Sequence, residues 1–120
     1  MPSLDLKYSA DLNIDTKKLF KAVEDTVKAH DAGTGACKAR AYPAQQFQYT
    51  HCYMELALLT KDSRDEAWTQ KLIDDLEELL KAELTKASAT TSATIGEGTQ
   101  TAWGVNVSYA SPYFRFGKIG

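Results

Sequence analysis

The sequence predicts an α+β domain with the element order β-α-β-β-α-β. Two strand–helix–strand units would build a four-stranded mixed sheet with two helices on one face. Three observations carry this. Apolar residues alternate at period two over four short runs, they recur at helical spacing over two longer runs, and the six runs divide into two similar halves. Two architectures share that order: a ferredoxin-like domain, and a pair of βαβ units whose sheet is completed by neighbouring subunits. Periodicity does not separate them.

The first strand begins at once, with Leu4, Leu6 and Tyr8 alternating against Ser3, Asp5 and Lys7. Asp15 or Thr16 can cap the first helix, which places Leu19, Phe20, Val23 and Val27 on one face and ends near His30. Gly33 is expected as its left-handed C-cap. Gly33 and Gly35 follow a helix, so they read as a turn rather than a phosphate loop. Residues 36–42 alternate again, Cys37, Ala39 and Ala41 against Lys38, Arg40 and Tyr42. This second strand follows a helix, so it is expected parallel to the first through a right-handed crossover, with Pro43 ending it. Residues 49–59 give a third strand whose apolar side is Cys52, Met54, Leu56 and Leu58.

Ser63-Arg64-Asp65-Glu66 reads as a capping box opening the longer helix, to about Lys86. Trp68, Leu72, Leu76, Leu79, Leu80 and Leu84 form its core stripe, while Asp74, Asp75, Glu77 and Glu78 form a solvated face. Residues 87–100, rich in Ser, Thr, Ala and Gly, read as a flexible connection. Trp103, Val105, Val107 and Tyr109 mark the fourth strand. The tail Ser111-Pro112-Tyr113-Phe114-Arg115-Phe116 is aromatic enough to suggest a partner surface.

Composition bounds the function. With 120 residues, 43% hydrophobic and 25% charged, residues 1–120 suit a single soluble domain. A formal net charge of −2 and no basic stripe argue against nucleic acid. No apolar run spans a membrane and no secretory pattern opens the chain, so a cytoplasmic location is expected. Cys37 and Cys52 then read as buried free thiols. His30 and His51 have no partners at ligand spacing, so no metal is expected.

Pro2 carries the chemistry. A small second residue favours removal of Met1, which would leave a secondary amine at the fixed start of a strand. α-Amines titrate near neutrality, and desolvation or nearby cations favour the neutral form, making a plausible general base.

Several short motifs, in order along nearly the whole chain, resemble the tautomerase superfamily and its 5-carboxymethyl-2-hydroxymuconate isomerase branch. The opening Met1-Pro2-Ser3-Leu4-Asp5-Leu6-Lys7-Tyr8-Ser9-Ala10-Asp11-Leu12 looks like that branch's Pro-first strand and turn. Ala36-Cys37-Lys38-Ala39-Arg40 lies where the branch has Gly-Ile-Arg-Ser-Arg. Tyr53-Met54-Glu55-Leu56 is similar to its His-Met-Thr-Leu-like strand, and Ser111 to Phe116 to its closing Pro-x-x-x-x-Phe segment.

The resemblance implies a tautomerase fold, like that of macrophage migration inhibitory factor, and a homotrimer with active sites at subunit boundaries. It implies no cofactor, and Pro2 as the base that moves a proton in an unsaturated 2-hydroxy or 2-oxo carboxylic acid. Lys38 and Arg40 become candidates for binding the substrate carboxylate, with Arg64 from a neighbouring loop. Tyr42, Trp103 and Phe114 are candidates for the apolar wall. Two departures stand out: Lys38 replaces a branch arginine, and Lys61-Asp62-Ser63 stands where the branch tends to carry Gly-Arg-Ser. The alternative is a tautomerase-fold oligomeric binding protein without catalysis, as expected if Met1 stays on and makes the Pro2 nitrogen an amide.

Overall fold

The computed structural model describes residues 1–90 and 100–120, with 88–90 described as backbone only. The elements run β1 (Ser3–Ser9), α1 (Thr16–His30), β2 (Lys38–Ala44), β3 (His51–Leu58), α2 (Glu66–Thr90) and β4 (Ala102–Tyr109). This is the order that the alternation predicts. The sheet order is β2-β1-β3-β4. β1 pairs parallel with β2, β3 parallel with β4, and the two central strands antiparallel with each other. Each βαβ unit therefore keeps its two strands adjacent. A ferredoxin-like arrangement would split them, so the strand order is that of the paired βαβ units.

Both helices cover the same face of the sheet. Leu4 and Leu6 of β1 and Cys52, Met54, Leu56 and Leu58 of β3 are buried there with Leu19, Val23 and Val27 of α1 and Leu72, Leu76, Leu80 and Leu84 of α2. Period two on the strands and period 3.6 on the helices aim these side chains at one another. The helices are also latched together. His30 Nε2 lies 2.6 Å from Asp75 Oδ2, and Trp68 Nε1 donates to the His30 carbonyl at 2.9 Å. The opposite face carries Ser3, Asp5, Lys7, Lys38, Arg40, Tyr42, Tyr53, Glu55 and Asn106 and has no covering layer among the described residues.

Four local expectations are corrected. Pro43 lies inside β2 rather than after it, paired with Tyr8. β2 is an edge strand, where a missing N–H is tolerated. Gly33 is not left-handed: among the described glycines only Gly120 has positive φ. Asp31 closes α1 instead, its N–H bonding the Val27 carbonyl while its carboxylate accepts from the Gly33 N–H at 3.1 Å. Asp65 opens α2, not Ser63, by accepting the Trp68 N–H at 2.8 Å. Ser63 lies in the preceding turn, which the Arg64 N–H closes on the Lys61 carbonyl. Lastly, α2 runs on to Thr90, so the expected 87–100 connection begins as helix and its residues 91–99 lie outside the described residues. The Asp65 cap has a measurable value: Asp65→Ala is expected to lower stability by about 1 kcal/mol in thermal or urea unfolding, with Ser63→Ala near neutral.

Candidate active site

Pro2 is fully buried at the mouth of β1, and its carbonyl accepts the Lys38 N–H at 2.9 Å. That bond ties the start of the chain to the start of β2. The register then sets Lys38 opposite Ser3 and Arg40 opposite Asp5. Both basic side chains stand on the open face, level with positions one and three residues along β1 from Pro2. Because β3 runs antiparallel to β1 and β4 parallel to β3, the C-terminal ends of β3 and β4 come to the same corner, with Ala57 opposite Ser3 and Tyr109 opposite Leu58.

A cavity of about 520 Å³ opens at this corner. Met1, Ser3, Lys38 and Arg40 line one side; Ala57, Leu58, Leu59, Ser108, Tyr109, Ala110 and Phe114 line the other. The Tyr109 hydroxyl is hydrogen-bonded to Thr69 Oγ1 of α2, which holds that wall. Arg40 does not hang free. Its Nε lies 2.7 Å from Asp5 Oδ1, and its Nη2 donates to Ser3 Oγ at 3.0 Å. Lys38 makes no ion pair among the described residues.

Behind the amino terminus lies a second layer of charge. The Arg64 side chain is 1% exposed and donates from Nη1 to the Leu59 carbonyl at 2.8 Å, so it anchors a cavity wall. Its Nε and Nη2 donate to Asp31 Oδ2 at 3.2 and 3.0 Å, and its guanidinium lies 5.3 Å from the Trp68 ring centroid. Lys61 donates to the same Asp31 oxygen at 2.9 Å. Lys61, then the Gly33 N–H and Arg64, hold the Asp31 carboxyl below its usual range, outweighing a smaller desolvation effect. The α-amine, here that of Met1, is pushed below its ordinary value of 8.0 by burial first and then by Arg64 and Lys61. Arg64 thus lies behind the cavity rather than in it.

Of the residues singled out in the sequence, Lys38, Arg40 and Phe114 line the cavity, and Pro2 lies buried beside it between the lining residues Met1 and Ser3. Tyr42 stands opposite Lys7, four residues along β1 from Ser3 and roughly 13 Å away at strand rise. Trp103 pairs with Cys52 at the far end of β3, beneath the Lys81 ammonium. Neither reaches the cavity. Tyr109 and Leu59 line it and escaped sequence reasoning. Drawing the strand register from the β-α-β-β-α-β order would have found Tyr109, since adjacent βαβ strands put the β4 terminus beside Pro2.

The thiols stay out of this chemistry. Burial pushes Cys52 to about 12, while burial and then the Glu24 charge push Cys37 to about 11. Among the described residues, no group of His, Cys, Asp and Glu is placed to hold a metal, and no helix is long and apolar enough to cross a membrane.

No protein-family model and no curated protein sequence matches the chain. Solved structures do. A 5-carboxymethyl-2-hydroxymuconate delta-isomerase matches with a TM-score of 0.75 at 17% identity, covering 100% of this chain and 89% of the other. A 5-carboxymethyl-2-hydroxymuconate isomerase from Deinococcus radiodurans R1 matches at 0.70 and 20% identity, covering 99% and 90%. A macrophage migration inhibitory factor-like protein from Entamoeba histolytica matches at 0.56 and 10% identity, covering 96% and 95%. The fold of this chain is therefore the one seen in the two 5-carboxymethyl-2-hydroxymuconate isomerase structures, and the macrophage migration inhibitory factor-like protein matches it at a lower score.

Proposed function

We propose that this protein is a cytoplasmic, cofactor-independent isomerase that moves a proton within an unsaturated 2-hydroxy or 2-oxo carboxylic acid, with Pro2 as base. One observation carries the reading. The buried Pro2 lies between Met1 and Ser3, which line a cavity that also holds two basic side chains, and the α-amine of Met1 at this end of the chain is held below its ordinary value. Once Met1 is removed, the neutral Pro2 amine takes the proton of an enol hydroxyl and the oxygen becomes a carbonyl as the double bonds shift. The ammonium then returns that proton to carbon, so no atom is gained or lost. Lys38 anchors the carboxylate and steadies the dienolate; Arg40 supports that end of the site, and Phe114 with Tyr109 forms its apolar side.

The protein is expected to act as a homotrimer. β2 and β4 are edge strands of the sheet, and Tyr53, Phe114 and Phe116 are at least half exposed. Open edges and apolar surface of this kind need covering. Equilibrium sedimentation should give three times 13.2 kDa; a stable monomer at working concentration would remove this part of the reading.

A second reading is a tautomerase-fold binding protein without catalysis, which holds if Met1 stays on the chain, because the Pro2 nitrogen is then an amide and has no basic lone pair. The deciding experiment compares turnover of a 2-hydroxydienoic acid by chain with and without Met1, each confirmed by intact mass. Turnover confined to the shorter chain supports the isomerase; equal turnover, or none in either, overturns it.

A further inference from the structure

The open face of the sheet carries a row of charge next to the Ser3–Lys38 row that lines the cavity, and Arg40 of this charged row lines the cavity as well. Arg40, Asp5, Glu55 and Asn106 stand opposite one another on the four strands. Arg40 is held by Asp5 at 2.7 Å and by Ser3 at 3.0 Å, so its fork is turned toward its own sheet. The row contains one cation and two carboxylates. Lys38, one row nearer Pro2, is the cation of the cavity wall that makes no ion pair among the described residues. In the other direction the wall is Leu59, Tyr109 and Phe114.

We propose that Asp5 is a specificity-determining residue: by holding Arg40, with Glu55 beside it, Asp5 restricts this site to monoanionic acids with an apolar body and turns dicarboxylates away. This rests on the enol-acid reading of the site. A substrate whose carboxylate meets Lys38 can extend in two directions. Toward the sheet row, a second carboxylate meets a net negative charge, and like charges brought together across an interface are strongly disfavoured. Toward Phe114, it meets the apolar side chains of Leu59, Tyr109 and Phe114, which offer a carboxylate no charged partner. An aryl or alkyl group suffers neither cost and fills the apolar wall.

The test is binding of two unreactive acids of the same frame, cinnamate and 4-carboxycinnamate, to the full-length oligomer by calorimetry. In the wild type, cinnamate should bind at least about tenfold more tightly than its dicarboxylate, and Asp5→Asn should reduce that ratio to about threefold or less by tightening the dicarboxylate. Glu55→Gln, a change at an exposed position, should move the ratio the same way if Asp5→Asn proves hard to fold. Lys38→Met should weaken both ligands together. Dicarboxylate binding as tight as cinnamate in the wild type, a ratio unmoved by both variants, or no binding of either acid would overturn the inference. Because no turnover is needed, a protein that binds selectively but catalyses nothing would overturn the isomerase reading while leaving Asp5 its role.

Discussion

Enol-acid turnover is expected to fall by about two to four orders of magnitude when Met1 stays on the chain, the range that loss of a positioned general base produces. Protein made while methionine removal is inhibited should show it, and trimming with an aminopeptidase should restore activity. The comparison leaves residues 2–120 unchanged but also takes the Met1 side chain out of the cavity wall, so the rate difference is assigned to the amine only together with the pH profile. The pH profile supplies an independent readout. A base must be neutral to act, so kcat/KM should rise with pH through the amine's pKa and then level off. That levelling should come below the ordinary α-amine value of 8.0, because burial, Arg64 and Lys61 all disfavour the ammonium form at this end of the chain. A profile that levels off above 8.0 would mean that the site does not favour the neutral amine.

Much of this fold is legible in the sequence because burial writes it there. Leu4 and Leu6, then Cys52, Met54, Leu56 and Leu58, alternate because only one sheet face is covered. The leucines of α2 recur at helical spacing because they pack on that face. What escapes is what depends on neighbours in space. Pro43 fits in β2 only because β2 is an edge, and no local pattern says which strands are edges. Ser63 and Asp65 are equally good capping residues by type, and the turn closed by Arg64 decides between them. The candidate site divides the same way. Alternation tells which face Lys38 and Arg40 occupy, and their position beside Pro2 follows from parallel pairing. Alternation does not tell which end of a strand meets which, so Tyr42 and Trp103 could not be told apart from Phe114 before the register was known. Nor does it reveal that Asp5 holds Arg40, a contact between residues 35 apart that exists only once β1 and β2 pair.

Arg64→Met is expected to destabilise the protein by about 3 kcal/mol, at the low end for removing one partner of a buried ion pair because Asp31 keeps Lys61 and some contact with water. Methionine retains much of the apolar stem, so the change isolates the guanidinium. Its loss leaves the Leu59 carbonyl without the Nη1 donor, Thr34 Oγ1 without its weaker contact at 3.4 Å, and Trp68 without the cation on its ring. For a domain of this size, thermal unfolding should shift down by roughly 10 °C. The sign of the pH dependence follows from Asp31. Its carboxyl is held below its ordinary 3.8, by Lys61 first and with help from Gly33 and Arg64, so that stabilisation is fully present above the ordinary value and is lost as pH falls through the lower folded value. The gap between wild type and Arg64→Met should therefore be widest near neutrality and narrow in acid. A gap that is constant with pH would assign Arg64's contribution to the Leu59 carbonyl and the Trp68 ring alone. The same variant separates structure from chemistry. Arg64 repels a proton from the amino terminus without entering the cavity, so its removal should move the kcat/KM profile toward higher pH, while carboxylate binding through Lys38 stays near the wild-type value.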